Sequence, residues 1–251
     1  MPAGRKRMDL LDMRIPLARE GTREMLIALA VAAGWGLLSW AVGLPILAVL
    51  GAVLLFAVLM FFRDPNRRIP TGQGLILSAA DGRVTHVERV EKHPLVGGPA
   101  VRVSVFLSVA NVHVNRSPVA GRVVETKIRE GLHLDARDPQ CADKNACNTM
   151  TLAPDKPFQG PIIVRQLTGK IARRIVCNVK PGERLAVGEK FGMIKFGSRT
   201  DVIVPEQPGL EVVAKVGDRV RGGTTILMKV AAPRVKADPS ETVTPATASE
   251  R

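Results

Sequence analysis

A glycine followed by a serine late in the chain is a pair of residue types that can react with each other. Gly197 and Ser198 lie in the segment 191–202, between two runs rich in β-branched residues. In a strained turn the serine hydroxyl can attack the carbonyl carbon of the preceding glycine, because glycine has no side chain to block the approach and tolerates unusual backbone angles. Most Gly-Ser pairs are ordinary turns, so this pair alone leaves both interpretations open.

The segment 106–118 contains the histidine best suited to move a proton. Its alternating pattern predicts a strand with Asn111, His113 and Asn115 on one face. Arg116 follows closely, and a neighbouring positive charge favours the neutral imidazole that accepts or relays a proton. A histidine on a polar strand face can also be purely structural.

Two further groups of polar residues have competing interpretations. Asp81 precedes a glycine in a predicted turn, where its carboxylate would bond to its own backbone. Arg173 and Arg174 belong to a basic segment that predicts either a solvated strand edge or a surface facing lipid phosphates. The three cysteines form no Cys-x-x-Cys pair, and no histidine or acidic residue matches a known ligand spacing, so we expect no metal and no disulfide framework.

The amino-acid composition limits the classes of molecule that the protein is expected to bind. The 251 residues carry a net charge of +13, which suits nucleic acid, an anionic membrane surface or small anions. Aromatic residues are only 4% and tyrosine is absent, so the stacking surfaces that single-stranded nucleic acid requires are scarce. We therefore expect no nucleic-acid partner.

The chain begins with a basic segment, residues 1–24, followed by an apolar run. Residues 25–62 include no charged side chain, and Gly43-Leu44-Pro45 divides them into two arms, which predicts a helical hairpin in a membrane. Arginines on both sides place both ends in the cytoplasm, so the catalytic domain would lie on the cytoplasmic side of the inner membrane. The alternative is a helical hairpin buried in a soluble core.

Residues 63–231 predict a β-rich domain with internal repeats, and the polar tail 232–251 is predicted to be disordered. Residues 78–84 resemble residues 117–123, and residues 180–188 resemble residues 215–223. Two such units related by a pseudo-twofold axis are typical of lipoyl- and biotinyl-type barrel-sandwich domains. That architecture predicts an exposed hairpin tip near residues 196–199.

Five motifs in order resemble the shorter, membrane-bound class of phosphatidylserine decarboxylase proenzymes, over residues 61–228. They are Phe61-Phe62-Arg63-Asp64-Pro65, Ala80-Asp81-Gly82-Arg83-Val84, Val112-His113-Val114-Asn115-Arg116-Ser117-Pro118, Ile171-Ala172-Arg173-Arg174-Ile175-Val176 and Phe191-Gly192-Met193-Ile194-Lys195-Phe196-Gly197-Ser198-Arg199.

The resemblance implies a self-cleaving enzyme. Ser198 would attack the carbonyl of Gly197, and β-elimination of the resulting ester would leave a β chain, residues 1–197, and an α chain, residues 198–251, that remain associated. Ser198 would become a pyruvoyl group, the only cofactor, which forms a Schiff base with the amine of phosphatidylserine and accepts electrons as carbon dioxide leaves. The product would be phosphatidylethanolamine.

The resemblance also implies roles for individual residues. Asp81 would support self-cleavage and His113 would transfer a proton during decarboxylation. Arg116 stands where longer relatives have a second histidine assigned to serine activation, so the base that activates Ser198 stays open. The substrate would be bound by Asn115, Arg116, Arg173 and Arg174.

One alternative is a non-enzymatic, membrane-anchored lipoyl-like adaptor. Such a module needs a modifiable lysine at its hairpin tip, and Lys195 is the only candidate nearby. A pyruvoyl enzyme acting on a soluble amino acid would have no use for the apolar run. The sequence leaves a homo-oligomer possible.

Overall fold

Two apolar helices come first in the structure, a computed structural model that describes residues 16–138, 140–170, 174–195 and 197–231. Helix α1 is Thr22–Val42 and helix α2 is Pro45–Phe61. Gly43 ends α1 in the left-handed conformation at φ 70°, and Pro45 starts α2 at a position where proline is favoured. The break therefore lies where the sequence predicts it.

The two helices differ in length, which decides whether each could cross a bilayer. Arg19–Val42, which is α1 with its preceding turn, has 24 residues of mean hydropathy 2.0 and is long and apolar enough to cross a membrane. Helix α2 has 17 residues. The two helices pack closely, since a Cβ on Gly51 would lie 3.2 Å from the Cα of Ala32. Their insertion into a membrane stays a prediction.

The rest of the described chain is mainly β, which confirms the predicted class. The strands are β1 Leu75–Leu77, β2 Gly82–His93, β3 Gly98–Leu107, β4 Val114–Arg116, β5 Gly121–Arg129, β6 Cys147–Pro154, β7 Ile162–Leu167, β8 Arg174–Cys177, β9 Arg184–Leu185, β10 Lys190–Lys195, β11 Ser198–Pro205, β12 Leu210–Val212, β13 Arg219–Val220 and β14 Ile226–Val230, with a short helix α3, Cys141–Lys144, between β5 and β6. The barrel-sandwich architecture stays a prediction.

One large antiparallel sheet organises these strands, in the order β13-β2-β3-β11-β7-β6-β5-β9. Strand β11 lies in its middle, and every one of its residues pairs with β3. Two smaller sheets have the orders β4-β10-β8 and β1-β14-β12. One face of the large sheet carries the main apolar core, which includes Val103, Met150, Val164 and Val202.

The internal repeats of the sequence correspond to repeated local structure. Ser78 donates its hydroxyl to the carbonyl of Ala80, and Ser117 donates to the carbonyl of Val119, both at 2.7 Å. Each serine also accepts, through its backbone carbonyl, a backbone hydrogen bond of 2.8 Å from a glycine of the other repeat family. Residues 78–84 and 117–123 are therefore similar in local structure as well as in sequence.

The second repeat family pairs with the first. Strand β13 pairs with the start of β2, which places Arg219 opposite Arg83, and β9 pairs with the start of β5, which places Arg184 opposite Arg122. The turns before β9 and β13 contain glycines with nearly equal positive φ, 93° and 97°. Two equivalent strand-pair units are thus present.

The predicted exposed tip near residues 196–199 is wrong. Strand β10 lies in the sheet with β4 and β8, whereas β11 is the central strand of the large sheet. The two strands therefore form no hairpin, and Ser198 has no exposed surface. Spacing between repeats located the Gly-Ser pair between two strands, but it did not reveal that these strands belong to different sheets.

Three predictions fall wholly or partly outside the described residues. They are the basic segment up to residue 15, the tail from residue 232 and the side chain of Arg173.

Candidate active site

The Gly-Ser pair lies at the start of the central strand. Gly197 has φ +67°, the left-handed conformation that favours glycine, and Ser198 is the first residue of β11. Among the residues that the structure describes, the buried hydroxyl oxygen of Ser198 has no hydrogen-bond partner. A buried polar group without a partner costs about 1–3 kcal/mol, so it needs a functional explanation.

His113 contacts the same pair through one ring nitrogen. Its Nε2 accepts a hydrogen bond of 3.2 Å from the backbone N–H of Gly197, and its Nδ1 lies 2.9 Å from the carbonyl oxygen of Asn111. Because a carbonyl oxygen only accepts, Nδ1 carries the proton and Nε2 presents a lone pair. The structure therefore brings together His113, Gly197 and Ser198.

The surroundings of His113 keep its ring neutral. The side chain is fully buried, and the ring of Phe61 lies 4.4 Å away between centroids. Burial lowers the pKa of His113 from 6.5 to about 4; the hydrogen bond to Asn111 acts against this shift, and the charge of Arg63 adds to it. Strand β4 begins only at Val114, so the predicted strand is shorter and His113 lies just before it.

Gly169 leaves space for the carbonyl of Gly197. A Cβ placed on Gly169 would lie 2.6 Å from the Gly197 oxygen, which is too close for any side chain. Sequence reasoning missed this residue, because a glycine just after a strand looks like any turn glycine. Its position shows that the Gly197 carbonyl packs directly against the backbone of Gly169.

Asp81 lies just before β2, and β3 separates β2 from β11. One carboxylate oxygen accepts a hydrogen bond of 2.8 Å from Arg67, and the other accepts one of 2.8 Å from the backbone N–H of Gly222. The hydrogen bonds of the described residues do not join Asp81 to Ser198 or His113. Its predicted support of cleavage would act through its neighbours.

Arg116 is buried in an ion pair. It donates to Asp64 at 2.8 Å and to the carbonyl of Gly188 at 3.2 Å, and the side chains of Arg116 and Asp64 are 8% and 6% exposed. Asp64 is also paired with Lys190. These partners fix the guanidinium inside the protein.

Asn115 belongs to a buried amide network behind Ser198. Its oxygen accepts a hydrogen bond of 2.7 Å from Gln166, and its nitrogen donates to Thr200, two residues after Ser198, at 3.3 Å. By contrast, Arg174 is exposed at the start of β8. Of the three predicted substrate-binding residues that the structure describes, only Arg174 is therefore exposed.

The segment 61–67, which follows the apolar helices, contacts three of the predicted site residues. Phe61 packs on His113, Asp64 pairs with Arg116, and Arg67 pairs with Asp81. The sequence indicated this segment only through a family resemblance, because its contacts join residues far apart in the chain. The structure shows that it holds the site from the side of the helices.

Arg199 is a further residue that sequence reasoning missed. It is 1% exposed and forms a buried ion pair with Asp201, with Nε 2.6 Å from the carboxylate, and a second bond of 2.8 Å to Ser104. The alternation Arg-x-Asp after Ser198 is the sequence signal. This pair fixes β11 at the residue that follows the candidate nucleophile.

Comparison with known proteins assigns the chain to a family. The family model described as phosphatidylserine decarboxylase matches residues 54–228, most of the chain. The chain belongs to the phosphatidylserine decarboxylase family. The matched residues include the Gly-Ser pair, His113 and the segment 61–67, so the family match covers the geometry described above.

Individual members of the phosphatidylserine decarboxylase family match over nearly their full length. The phosphatidylserine decarboxylase proenzyme of Symbiobacterium thermophilum is 45% identical over 219 residues, covering 86% of this chain and 97% of the relative. That of Rhodopirellula baltica is 38% identical over 221 residues, covering 86% and 88%. That of Nitrosomonas eutropha is 41% identical over 217 residues, covering 84% and 94%.

Membership of the phosphatidylserine decarboxylase family removes the adaptor alternative, and the lysine on which that alternative depended is unsuitable. Lys195 is 4% exposed, and its ammonium lies 2.5 Å from the carboxylate of Glu24 and 5.6 Å from the ring centre of Phe62. A lysine that receives a lipoyl or biotinyl group must be accessible to the modifying enzyme. Lys195 instead joins β10 to the start of α1.

Proposed function

We propose that this chain decarboxylates phosphatidylserine to phosphatidylethanolamine after cutting itself between Gly197 and Ser198. The observation that carries the proposal is the contact of the His113 Nε2 lone pair with the N–H of Gly197, beside the buried and unpartnered hydroxyl of Ser198. The names of the most similar relatives, which are proenzymes of this decarboxylase, support it.

The cleavage uses groups of the chain and one water molecule. The Ser198 oxygen attacks the Gly197 carbonyl carbon, the bond from that carbon to the Ser198 nitrogen breaks, and an ester with a free amine forms. Loss of the Ser198 α-proton then expels the Gly197 carboxylate and leaves a double bond in residue 198. Water replaces the nitrogen, which leaves as ammonia, so that residue 198 becomes a pyruvoyl group.

His113 is the group best placed to take a proton in these steps. Its ring is neutral at pH 7 because its pKa is about 4, and its Nε2 lone pair, which accepts the Gly197 N–H, lies at the backbone next to the serine. Asp81 supports cleavage through the Arg67 pair, which fixes the segment 61–67 that carries Phe61 against His113.

The residues around Ser198 fit a covalent pyruvoyl group. Ser198 has a buried oxygen without a hydrogen-bond partner among the described residues, and Gly197 and Gly169 leave space at the carbonyl. When present, the group supplies a keto function that binds the substrate amine and withdraws electrons while carbon dioxide is lost. His113 returns a proton to the reacting carbon.

The predicted substrate-binding residues have different roles in this proposal, because some are exposed and others are buried. Arg174, and with it Arg173, would attract the anionic headgroup from the surface, whereas Arg116 and Asn115 position the site from inside. The apolar helix α1 would hold the enzyme at the inner membrane with its catalytic domain on the cytoplasmic side, next to a substrate that never leaves the bilayer.

The fragments stay associated in this proposal because their strands alternate. The small fragment supplies β11, β13 and β14, which pair with β3 and β7, with β2, and with β1 of the large fragment. Self-cleavage breaks one peptide bond and leaves these hydrogen-bond ladders in place.

A denaturing gel tests the cleavage. The wild-type chain should give a large fragment ending at Gly197 and a small fragment beginning at residue 198. Ser198→Ala should give one band at the full 27.0 kDa and should release no carbon dioxide from phosphatidylserine, because the nucleophile is missing. Mass spectrometry of the small fragment should find pyruvoyl in place of serine.

The matched control is Thr126→Ala, which removes a hydroxyl from β5, away from the site, and should cleave normally. A wild-type chain that folds but remains one band would contradict the proposal. So would a Ser198→Ala chain that still splits at residue 197.

A further inference from the structure

A cavity of about 530 Å³ opens on the face of the large sheet that Ser198 does not share. Ser198 lies on the same face of β11 as the core residue Val202, four positions later, whereas Asp201 lies on the other face. Arg165 is directly opposite Asp201 across the β11–β7 pair, so its side chain is on that other face, and it lines the cavity. The cavity is therefore separate from the candidate active site.

The lining of the cavity is mainly basic. Its four cations are Arg102, Lys127, Arg129 and Arg165. Asp143 is the only acidic residue in the lining, and among the described residues only Arg102 has a carboxylate partner, Glu88. The cavity therefore has an excess of positive charge.

Arg165 is buried beneath this cavity without a carboxylate. It is 8% exposed, and its Nε has no hydrogen-bond partner in the part of the chain that the structure describes. The nearest carboxylate across the sheet, that of Asp201, is already bound by the guanidinium of Arg199. A buried charged donor without a partner is costly, so an acceptor from outside the chain would stabilise this arrangement.

His93 adds a neutral donor to the same cavity. Its Nδ1 accepts a hydrogen bond of 3.3 Å from the backbone N–H of Leu95, so the neutral ring carries its proton on Nε2. Burial lowers the pKa of His93, and the charges of Arg165 and Arg102 lower it further, which keeps the ring neutral. Within the described residues Nε2 has no partner, and His93 lines the cavity.

The cavity also has an apolar part. Val90, Pro94 and Leu95 line it together with Ile128, which is 71% exposed. A volume of about 530 Å³ is within the range of small-molecule sites, which combine apolar walls with a few polar groups. The lining therefore suits a small molecule that carries an anionic group and an apolar part.

The position of the cavity favours a soluble ligand. Arg102 lies five residues before Leu107 on β3, about 17 Å along the strand from the residue that pairs with Ser198. The loop after Leu107 is bound by Arg63, directly after helix α2, whereas Leu95 lies in the turn at the opposite end of β3. The cavity is thus at the end of the sheet away from the apolar helices.

We propose that this cavity binds a soluble phosphate ester of a small organic molecule, with the phosphate at Arg165 and His93 and the apolar part between Leu95 and Ile128. Guanidinium groups bind phosphate oxygens through charge-assisted hydrogen bonds. Donors from two strands and from the turn that carries His93 suit the three terminal oxygens of a phosphate better than the two of a carboxylate. The site is distinct from that of the proposed reaction.

Titration calorimetry with phenyl phosphate tests this site on the full chain in detergent micelles. Phenyl phosphate should bind saturably at one site per chain. Inorganic phosphate should bind at least about 10-fold more weakly, because it buries no apolar surface against Leu95 and Ile128. Equal affinities would indicate a plain anion site and contradict the proposal, and so would the absence of saturable binding.

Three variants assign the binding to the cavity. Arg165→Gln should weaken phenyl phosphate about 100-fold and Lys127→Gln about 5-fold, through the loss of charge-assisted bonds. Ile128→Ser should weaken phenyl phosphate about 5-fold and leave the affinity for inorganic phosphate unchanged. Lys127 and Ile128 are exposed, so their variants decide the matter if Arg165→Gln does not fold.

The matched control is Lys229→Gln, which removes the same charge from an exposed lysine on β14. It should bind phenyl phosphate as the wild type does. An equal loss in this variant and in Lys127→Gln would show that net charge alone attracts the anion and would overturn the proposal.

Two further measurements exclude the membrane and the substrate as sources of the phosphate. Phosphatidylglycerol added to the micelles should not displace phenyl phosphate; displacement would identify a lipid headgroup site and contradict a soluble ligand. Phenyl phosphate should leave the KM for phosphatidylserine unchanged, and competition would place it at the substrate site instead. Binding to the uncleaved Ser198→Ala chain should equal that of the wild type, so this inference is tested even if the proposed function fails.

Discussion

At the scale of residues, the tautomer of His113 decides what the site can do. The carbonyl of Asn111 fixes the proton on Nδ1, so Nε2 faces Gly197 with a lone pair. No second histidine is required for this arrangement. Arg116, three residues after His113, is held in a buried ion pair with Asp64. We infer that His113 is the base for cleavage as well as the proton donor for decarboxylation.

The lowered pKa of His113 predicts how the chain responds to pH. His113 has a pKa of about 4 in the folded chain and 6.5 in the unfolded chain. Between these two pH values the unfolded chain therefore binds a proton that the folded chain does not. Stability is therefore fully present above pH 6.5 and is lost as the pH falls toward 4, by about 3 kcal/mol from this group. The cleavage rate of freshly translated precursor should stay constant down to about pH 5 and decline only near pH 4.

Phe61→Ala provides the comparison, because it opens His113 to water and should move the decline in cleavage to higher pH. A wild-type cleavage rate that already halves near pH 6.5 would show that His113 titrates normally and is not the buried base.

The close approach of Gly169 to the Gly197 carbonyl leads to a second prediction, on the rate of cleavage. Gly169→Ala places a methyl group 2.6 Å from the Gly197 oxygen, so the carbonyl must move from its position before the serine. Cleavage in a pulse-chase gel should slow about 100-fold, the effect of a displacement of about 1 Å in a reacting group. Gly98→Ala, where a Cβ meets open space, should cleave at the wild-type rate. Equal rates for the two variants would exclude this role for Gly169.

At the scale of elements, the segment 61–67 explains why the apolar helices and the β domain act together. Its side chains connect to the histidine, the buried arginine and the aspartate of the site, while its first residues end helix α2. Further contacts run from the start of α1, where Glu24 pairs with Lys195 just before the Gly-Ser pair. The helices therefore pack against the candidate site as well as being joined to it along the chain.

Replacing Asp64 tests how much that connection contributes to the stability of the protein. Asp64→Ala leaves the buried charge of Arg116 without its carboxylate, so the free energy of unfolding should fall by about 3–5 kcal/mol. Denaturant unfolding of uncleaved Ser198→Ala protein in detergent measures the change. Glu206→Gln, which breaks an exposed pair with Arg89, should change stability by less than about 1 kcal/mol. A similar small loss for Asp64→Ala would show that Arg116 finds other partners.

At the scale of the whole molecule, the sequence predicted what short-range pattern encodes. The uncharged run divided at Gly43, the β-rich domain and the repeats were all visible from residue types and spacing. The exposed tip at Ser198, the extent of the strand at His113 and the contacts of Phe61, Asp64 and Arg67 were not. These depend on which distant strands become neighbours, and pairing across a sheet leaves no local signature.

The place of Ser198 within the large sheet has a consequence for how the enzyme matures. The bond that we propose is cut lies at the first residue of a buried central strand, whereas processing proteases require an exposed, flexible segment. A foreign protease is thus excluded from this bond, and an unfolded chain lacks the neighbours that activate it. If the chain cuts itself as proposed, maturation depends on folding, and the amount of small fragment in a cell measures how many molecules have reached the native state.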